Sequence, residues 1–135
     1  MAATIRILVV DDNDAVRRGI CGLLRAEPDF EVVSEATNGE QAITEAGKFQ
    51  PDVIVLDINM KGLDGITAAS QIKKTAPSAE ILFLSQHESS EIVRFALRRA
   101  GRGYVLKIDV DTELVPAVRA VREGKQYVSR RATGI

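Results

Sequence analysis

Five short apolar runs alternate with five amphipathic stretches along this chain, and that alternation restricts the fold more than any other feature. The runs cover Ile5–Val10, Phe30–Ala36, Val53–Leu56, Ile81–Leu84 and Tyr104–Leu106. The third and fourth runs are apolar throughout, which is typical of strands buried on both faces. Between the runs, apolar residues recur at helical spacing with charges opposite them. Five repeats of strand and helix with short connections predict an α/β fold, in which helices cover both faces of a five-stranded parallel sheet.

Length and composition fit one ordinary domain. The chain has 135 residues, of which 45% are hydrophobic and 27% charged, so we expect a globular rather than a disordered protein. Its net charge of −1 provides no general attraction to nucleic acid or to acidic membranes. The single cysteine, Cys21, excludes an intramolecular disulfide and favours a reducing compartment. No apolar run is long enough to span a bilayer, and the first residues lack the features of a signal peptide, so we expect a cytoplasmic protein with no membrane partner.

The domain is expected to occupy residues 4–125. Beyond them, residues 126–135 are polar and basic and show no apolar periodicity. We interpret this segment as a tail or as the beginning of a linker.

Acidic residues stand at the ends of two of the predicted strands. Asp11 and Asp12 end the first strand, and Asp57 ends the third. In an open parallel sheet, ligands bind outside the carboxyl ends of the strands, where the strand order reverses. If these two strands are neighbours, three carboxylates converge in one crevice, where their mutual repulsion needs compensation. Mg²⁺ prefers oxygen ligands, so the sequence predicts a magnesium site at this edge.

The fourth and fifth strands end in residues with complementary chemistry. Ser85 offers a hydroxyl that can donate to an oxyanion, and Lys107 offers a mobile positive charge that suits a phosphoryl group. Taken singly, such residues are more often turn formers, helix caps or solvent-facing side chains. Five of them in register with the strands instead indicate a phosphoryl-transfer site.

Four segments, in order and spacing, carry a resemblance to a known family. They read LVVDDN, VIVLDINMKGLDG, LFLS and GYVLK. Together they resemble the receiver domains of two-component response regulators, and most of all the NarL/FixJ (LuxR-type) group, whose receivers precede a helix-turn-helix domain. The resemblance extends from Ile5 to about Ser129. It implies a flavodoxin-like, doubly wound sheet with strand order 2-1-3-4-5 and five helices.

The resemblance also implies roles for the residues at the strand ends. Asp57 would be the phosphoacceptor, and Asp11 and Asp12 would be the pair that binds Mg²⁺ together with Asp57. Asn59 would contribute its backbone carbonyl to the metal.

The implied switch uses the last two strands. Ser85 and Lys107 would contact the phosphoryl oxygens, and Tyr104 would be the aromatic switch residue that turns from solvent towards the core. The implied function is a signalling switch, not an enzyme, which a sensor histidine kinase phosphorylates in order to control transcription. A homodimer is a further expectation, and contact with DNA is expected only through a C-terminal domain missing from this chain.

Two residues near the implied site suggest control of the phosphoryl lifetime. His87 is the only histidine and follows Ser85 by two residues, while Lys61 stands where the family usually has proline. We hypothesise that His87 orders or blocks the water that attacks phosphorylated Asp57, with help from Lys61 and with Asn59 flanking the path.

Three alternatives remain at this point. The Asp12-x-Asp14 pattern after a strand is similar to that of haloacid-dehalogenase-type phosphatases, but no Ser or Thr follows Asp14 where that family has one, and little chain remains for a cap domain. A nucleotide- or flavin-binding protein lacks support because no glycine-rich phosphate loop is present. A module that keeps the fold for interactions alone would not need five intact site residues.

Overall fold

The computed structural model describes residues 3–132, which form strands and helices in strict alternation. The strands are β1 (Ile5–Val10), β2 (Phe30–Ala36), β3 (Val53–Asp57), β4 (Glu80–Ser85), β5 (Gly101–Leu106) and β6 (Tyr127–Val128). The helices are α1 (Asp14–Arg25), α2 (Gly39–Phe49), α3 (Gly65–Thr75), α4 (Ser90–Arg99) and α5 (Val110–Arg122). Two short 3₁₀ turns cover Lys107–Asp109 and Arg130–Ala132. None of the helices in this part of the chain is long and apolar enough to cross a membrane.

All strands are parallel and lie in the order β2-β1-β3-β4-β5-β6. The predicted α/β class, the five helices and the order of the first five strands are confirmed. The predicted count of five strands is wrong, because β6 pairs with the outer edge of β5, with Tyr127 opposite Gly103 and Val128 opposite Tyr104. A strand of two residues is too short to give a periodic signal in the sequence.

The segment expected to be a tail therefore lies against the sheet for much of its length. Ser129 is fully buried, and Ala132 is 1% exposed, within the hydrophobic core. This packing was missed because neither residue belongs to an apolar run. Residues 133–135 of the predicted tail lie outside the described residues.

Two hydrophobic cores lie on opposite faces of the sheet, because successive side chains of a strand point to opposite sides. Leu8, Leu56 and Phe83 face the core that α2, α3 and α4 cover, whereas Ile7, Val55 and Leu84 face the one that α1 and α5 cover. Every residue of β3 is buried. The apolar run Val53–Leu56 predicts this for the first four residues, and Asp57 is buried as well. Full burial of one such aliphatic side chain contributes about 1.5–3 kcal/mol, so the central strands hold the sheet rigidly where the strand ends meet.

The loops after β1 and β3 are fixed by helix caps and by one glycine. The Asn13 side chain accepts a hydrogen bond from the backbone N–H of Val16 at the start of α1, and Asp64 caps α3 through Thr67. At Gly65, a β-carbon would collide with the carbonyl oxygen of Asp57 and lie 2.8 Å from Ile58 Cα. Only glycine allows α3 to begin this close to the end of β3.

Candidate functional site

The three predicted acidic residues meet at the carboxyl edge of β1 and β3. These strands are neighbours, with Val10 opposite Leu56, so the residues that follow them come together. One carboxylate oxygen from each of Asp11, Asp12 and Asp57 lies within 4.8 Å of the other two. Asp11 and Asp57 are fully buried, while Asp12 is exposed at the mouth of the crevice. The predicted convergence of three carboxylates is present in the structure.

Backbone amides hold one oxygen of each carboxylate. The N–H of Asn13 donates to Asp11 Oδ1 at 2.8 Å, and the N–H of Asn59 donates to Asp57 Oδ1 at 3.0 Å. The N–H of Lys61 donates to Asp12 Oδ2 over 3.2 Å. These bonds fix the orientation of the three carboxylates.

Oδ2 of Asp11 and Oδ2 of Asp57 are buried and receive no well-aligned hydrogen bond from residues 3–132. The Lys107 ammonium lies 3.3 Å from Asp11 Oδ2 and 3.2 Å from Asp57 Oδ2, so the two oxygens share its charge and its N–H groups. One ammonium shared by two buried carboxylates compensates each of them incompletely, which is costly in a folded protein. Hard oxygen ligands arranged in this way fit a divalent cation of the Mg²⁺ type.

Burial and neighbouring charges both act on the pKa values of Asp57 and Lys107. Burial, and then the neighbouring Asp11 carboxylate, raise the pKa of Asp57 above its usual value, and the attraction of Lys107 offsets this only in part. Burial alone lowers the pKa of Lys107, but Asp57 and Asp11 more than offset that effect and hold it above its usual value. Lys107 therefore stays protonated, and Asp57 carries its charge at a free-energy cost that a second cation relieves.

Ser85, His87 and Tyr104 form a connected chain of hydrogen bonds beside the acidic group. The backbone N–H of His87 donates to Ser85 Oγ at 3.0 Å, and the Tyr104 hydroxyl donates to the His87 carbonyl at 2.9 Å. The His87 ring contacts the Asn59 side chain, with Nε2 3.2 Å from Nδ2. Burial raises the pKa of Tyr104, so the phenol stays protonated as a donor. His87 thus lies between the strand end of β4 and the loop after β3.

Tyr104 already lies in the core. The family resemblance implied a side chain that turns from solvent towards the core, and in this structure the ring is fully buried. In this structure the Tyr104 side chain therefore faces the core and not solvent.

Two contributors to the site were not expected from the sequence. Arg17 donates from Nη1 to the Asp11 carbonyl at 2.9 Å and pairs with Asp14 and Glu35, which fixes the loop after β1. Ser129 accepts a hydrogen bond from the N–H of Leu106, next to Lys107, through its Oγ at 2.8 Å. An arginine on a helix and a serine in a polar segment carry no distinctive sequence signal.

The fold and the site together define a class: a doubly wound α/β domain with a crevice of three carboxylates at the switch point of the sheet. Residues 7–119 match the response regulator receiver domain family, and the chain belongs to that family. The resemblance to the NarL/FixJ-type group is confirmed by curated relatives and by solved LuxR-family structures.

Two curated relatives are longer than this chain. The transcriptional regulatory protein DegU of Brevibacillus brevis is 36% identical over 130 residues, which are 96% of this chain and 55% of DegU. The transcriptional regulatory protein LiaR of Bacillus subtilis is 33% identical over 96% of this chain and 62% of LiaR. The chain thus spans 55–62% of the length of these two proteins.

Two solved structures share the fold throughout. A LuxR-family two-component response regulator from Aurantimonas sp. has a TM-score of 0.93 and 32% identity over 98% of this chain and 94% of that one. The isolated REC domain of RcsB from Salmonella enterica serovar Typhimurium, in the presence of the phosphomimetic BeF3−, has a TM-score of 0.88 and 28% identity over 97% of each chain.

Proposed function

We propose that this chain is a phosphorylation-dependent signalling switch that accepts a phosphoryl group on Asp57. One observation carries the proposal: a fully buried Asp57 oxygen, which shares the Lys107 ammonium with Asp11, lies close to two further carboxylates. A carboxylate destabilised in this way is suited to form a bond to phosphorus. Receiver domains are signalling domains, and we propose that any chemistry here is confined to the protein's own phosphorylation and dephosphorylation.

The transfer is a displacement at phosphorus. The P–N bond of the kinase's phosphohistidine breaks, its electron pair stays on the imidazole nitrogen, and a new P–O bond forms to Asp57, which gives an acyl phosphate. Lys107, whose ammonium lies 3.2 Å from Asp57 Oδ2, would neutralise negative charge that builds on the phosphoryl oxygens. The fixed carboxylate orientation, through the Asn59 N–H, favours in-line approach.

Asp11, Asp12 and Asp57 would hold Mg²⁺, with the backbone carbonyl of Asn59 as a further ligand. Bound Mg²⁺ would neutralise charge on the phosphoryl oxygens during transfer. The support for this assignment is the donor set, three carboxylates with oxygens within 4.8 Å of one another, of which two offer a buried oxygen that shares the Lys107 ammonium.

The readout would pass through Ser85 and Tyr104. A phosphoryl oxygen would attract the Ser85 hydroxyl, whose present contact is the His87 N–H. Because the His87 carbonyl also accepts from the Tyr104 hydroxyl, a shift of this loop alters the position favoured by Tyr104. The surface formed by α4 and β5 would then have two states whose populations phosphorylation changes.

A sensor histidine kinase is the proposed donor, and an apolar groove beside the site offers a surface for its helix. The groove has a volume of about 820 Å³ and lies between α1 and the turn after β5, with Lys107 among the residues that line it. Two of its residues, Val16 and Ile108, are among the few large hydrophobic side chains that are exposed, at 37% and 75%. Exposed apolar surface next to a reactive carboxylate is typical of a docking site.

The docking surface can be tested by comparing two donors. Ile108→Glu should slow phosphoryl transfer about tenfold from any phosphorylated histidine kinase that phosphorylates the wild-type protein. This factor corresponds to the loss of about 1.4 kcal/mol of binding free energy. Phosphorylation by acetyl phosphate should stay unchanged. Phe95→Glu, which alters an equally apolar side chain exposed on α4, is the matched control. Equal slowing with both donors would refute the docking role.

We also propose that His87 and Lys61 control how long Asp57 stays phosphorylated. The His87 ring contacts Asn59, the neighbour of the acceptor in the loop after β3, and Lys61 is joined to Asp12 through its backbone. The His87 and Lys61 side chains are exposed at the mouth of the crevice, where water must approach the acyl phosphate. Their bulk and hydrogen bonds would set the rate of hydrolysis.

The output is proposed to be transcriptional control. The relatives named above are transcriptional regulators of greater length, and receivers of the NarL/FixJ-type group precede a helix-turn-helix domain. Because residues 127–132 pack against the sheet, a linker to such a domain would begin beyond them. DNA contact would belong to that further domain. A homodimer formed after phosphorylation would bring two such domains together.

The function is tested by phosphorylation with a small donor. With acetyl phosphate and Mg²⁺, the protein should gain the mass of one phosphoryl group, which hydroxylamine removes. Asp57→Asn should abolish the gain, and Asp111→Asn, which changes an exposed carboxylate on α5, should not. A wild-type protein that stays unmodified while it binds Mg²⁺ would contradict the proposed function.

A further inference from the structure

The outer edge of β5 is covered by residues 127–132, which we call the C-terminal strap. Val128 pairs with Tyr104 in the sheet, and the N–H of Ser129 donates to the Tyr104 carbonyl at 2.8 Å. The strap then turns away, with the N–H of Ala132 donating to the Ser129 carbonyl at 2.9 Å. The strap therefore contacts the strand that carries both the switch tyrosine and, one residue beyond its end, Lys107.

The Ser129 hydroxyl continues the ladder of hydrogen bonds where the strap's backbone leaves it. The N–H of Leu106 donates to Ser129 Oγ at 2.8 Å, and both groups are buried. Loss of this acceptor would leave a buried backbone donor unsatisfied, which destabilises the folded position of Leu106. Leu106 is the last residue of β5, so this bond holds the backbone immediately before Lys107 from the side opposite β4.

A second contact holds the backbone on the far side of Lys107. Arg131 Nε donates to Asp109 Oδ1 at 3.0 Å, and Asp109 ends the 3₁₀ turn that begins at Lys107. The Tyr127 hydroxyl donates to Glu113 Oε1 at 2.9 Å on α5. Burial, together with the Glu113 carboxylate, raises the pKa of Tyr127 to about 12, so this donor keeps its proton near neutral pH.

We propose that the C-terminal strap positions Lys107 for the phosphoryl chemistry, with Ser129 as the main positioning residue and Arg131 as the second. The inference rests on the proposed function, since it concerns the same site. The strap fastens Leu106 and Asp109, and the lysine between them places its ammonium 3.2–3.3 Å from the two buried carboxylates. Displacement of a catalytic group by about 1 Å can cost about 100-fold in rate. The hydrogen bonds of Ser129 and Arg131 described above lead to Leu106 and Asp109, and not to the three acidic residues.

The strap is tested by measuring phosphorylation and metal binding on the same proteins. Ser129→Ala should slow phosphorylation by acetyl phosphate by about tenfold or more, while the Kd for Mg²⁺, measured without a phosphodonor, changes by less than about twofold. Ser129→Thr keeps the hydroxyl and should recover most of the rate. Ser78→Ala, in the exposed turn between α3 and β4, is the matched control.

Arg131→Ala provides a second test that leaves the core unchanged, because this side chain is 59% exposed. It should slow phosphorylation in the same direction by a smaller factor. Amide hydrogen exchange at Leu106 should become faster in Ser129→Ala, which shows that the strap bond has been lost.

The outcomes separate the strap from the proposed function. A wild-type rate in Ser129→Ala, with faster exchange at Leu106, would overturn the positioning role while leaving the phosphoacceptor role intact. A parallel loss of Mg²⁺ binding and phosphorylation would also overturn it, because the damage would then be general. A wild-type protein that takes no phosphoryl group would instead contradict the proposed function itself.

Discussion

Replacing Asp57 with asparagine should make the protein more stable when divalent metal is removed. The wild-type carboxylate is fully buried and close to two others, and its pKa is raised by burial and by Asp11 despite the attraction of Lys107. A raised pKa means that the charged Asp57 carboxylate is less stable in the folded state than in the unfolded state, relative to its protonated form. Asparagine keeps the shape of the side chain and removes the charge.

The size of the effect follows from the distances. Two unit charges 4.8 Å apart repel by about 3 kcal/mol at an effective dielectric constant of about 20. The Lys107 ammonium, 3.2 Å from Asp57 Oδ2, attracts by about 5 kcal/mol on the same scale. Desolvation of a buried carboxylate adds a penalty of several kcal/mol. We expect a net gain of about 1–2 kcal/mol, equivalent to about 3–6 °C in Tm for a domain of this size.

The gain should depend on pH. A group with a raised folded-state pKa contributes stability below its unfolded pKa, about 3.9 for aspartate, and that contribution is lost as the pH rises through the folded-state value. The Tm difference between Asp57→Asn and wild type should therefore be small in acid and should grow as the pH rises through the raised pKa of Asp57.

Thermal unfolding in EDTA, followed by circular dichroism across this pH range, measures the difference. Asp52→Asn is the matched control, because its carboxylate accepts the Arg6 N–H at 2.9 Å and lies 3.8 Å from Arg122, so its replacement should lower the Tm. A Tm for Asp57→Asn at or below the wild-type value near neutral pH would refute the argument that charge repulsion at the site is uncompensated.

Three further predictions concern the metal, the lysine and the histidine. Millimolar Mg²⁺ should raise the wild-type Tm because it binds only the folded state, and Asp12→Ala should remove most of that rise; an equal rise in both proteins would count against the metal site. Lys107→Ala should bind Mg²⁺ up to about tenfold more tightly, a gain of about 1.4 kcal/mol, because the wild-type ammonium competes with the metal for Asp11 and Asp57. The same variant should fail to give the activated-state NMR spectrum with beryllofluoride, and a normal spectrum would contradict the role of Lys107. His87→Ala should change the decay rate of phosphorylated Asp57 but not its rate of formation by acetyl phosphate, and identical decay would exclude a tuning role.

Much of the site could be predicted because its residues follow buried strands directly. Asp11, Asp57, Ser85 and Lys107 stand at the ends of apolar runs, and parallel strands bring their carboxyl ends to one edge. The position in the fold therefore follows from the pattern of strands and helices, whereas the role of each residue stays a prediction until it is measured.

The contacts that could not be predicted join residues far apart in the chain. Ser129 and Leu106 are 23 positions apart and meet through a side-chain hydroxyl, for which sequence periodicity provides no signal. β6 has only two residues, fewer than a period-two pattern needs. The burial of the Tyr104 ring could not be predicted either, because it depends on the hydrogen bond from its hydroxyl to the carbonyl of His87, 17 positions away.

The central claim is that the phosphoryl group is carried by Asp57, and locating it tests that claim most directly. Borohydride reduces an aspartyl phosphate to homoserine, so peptide mapping by mass spectrometry after treatment with acetyl phosphate and Mg²⁺ identifies the modified residue. We predict homoserine at position 57 and an unchanged Asp12. Homoserine at position 12 would contradict the account and support the phosphatase-like alternative, in which the first aspartate of the Asp12-x-Asp14 pattern is the nucleophile.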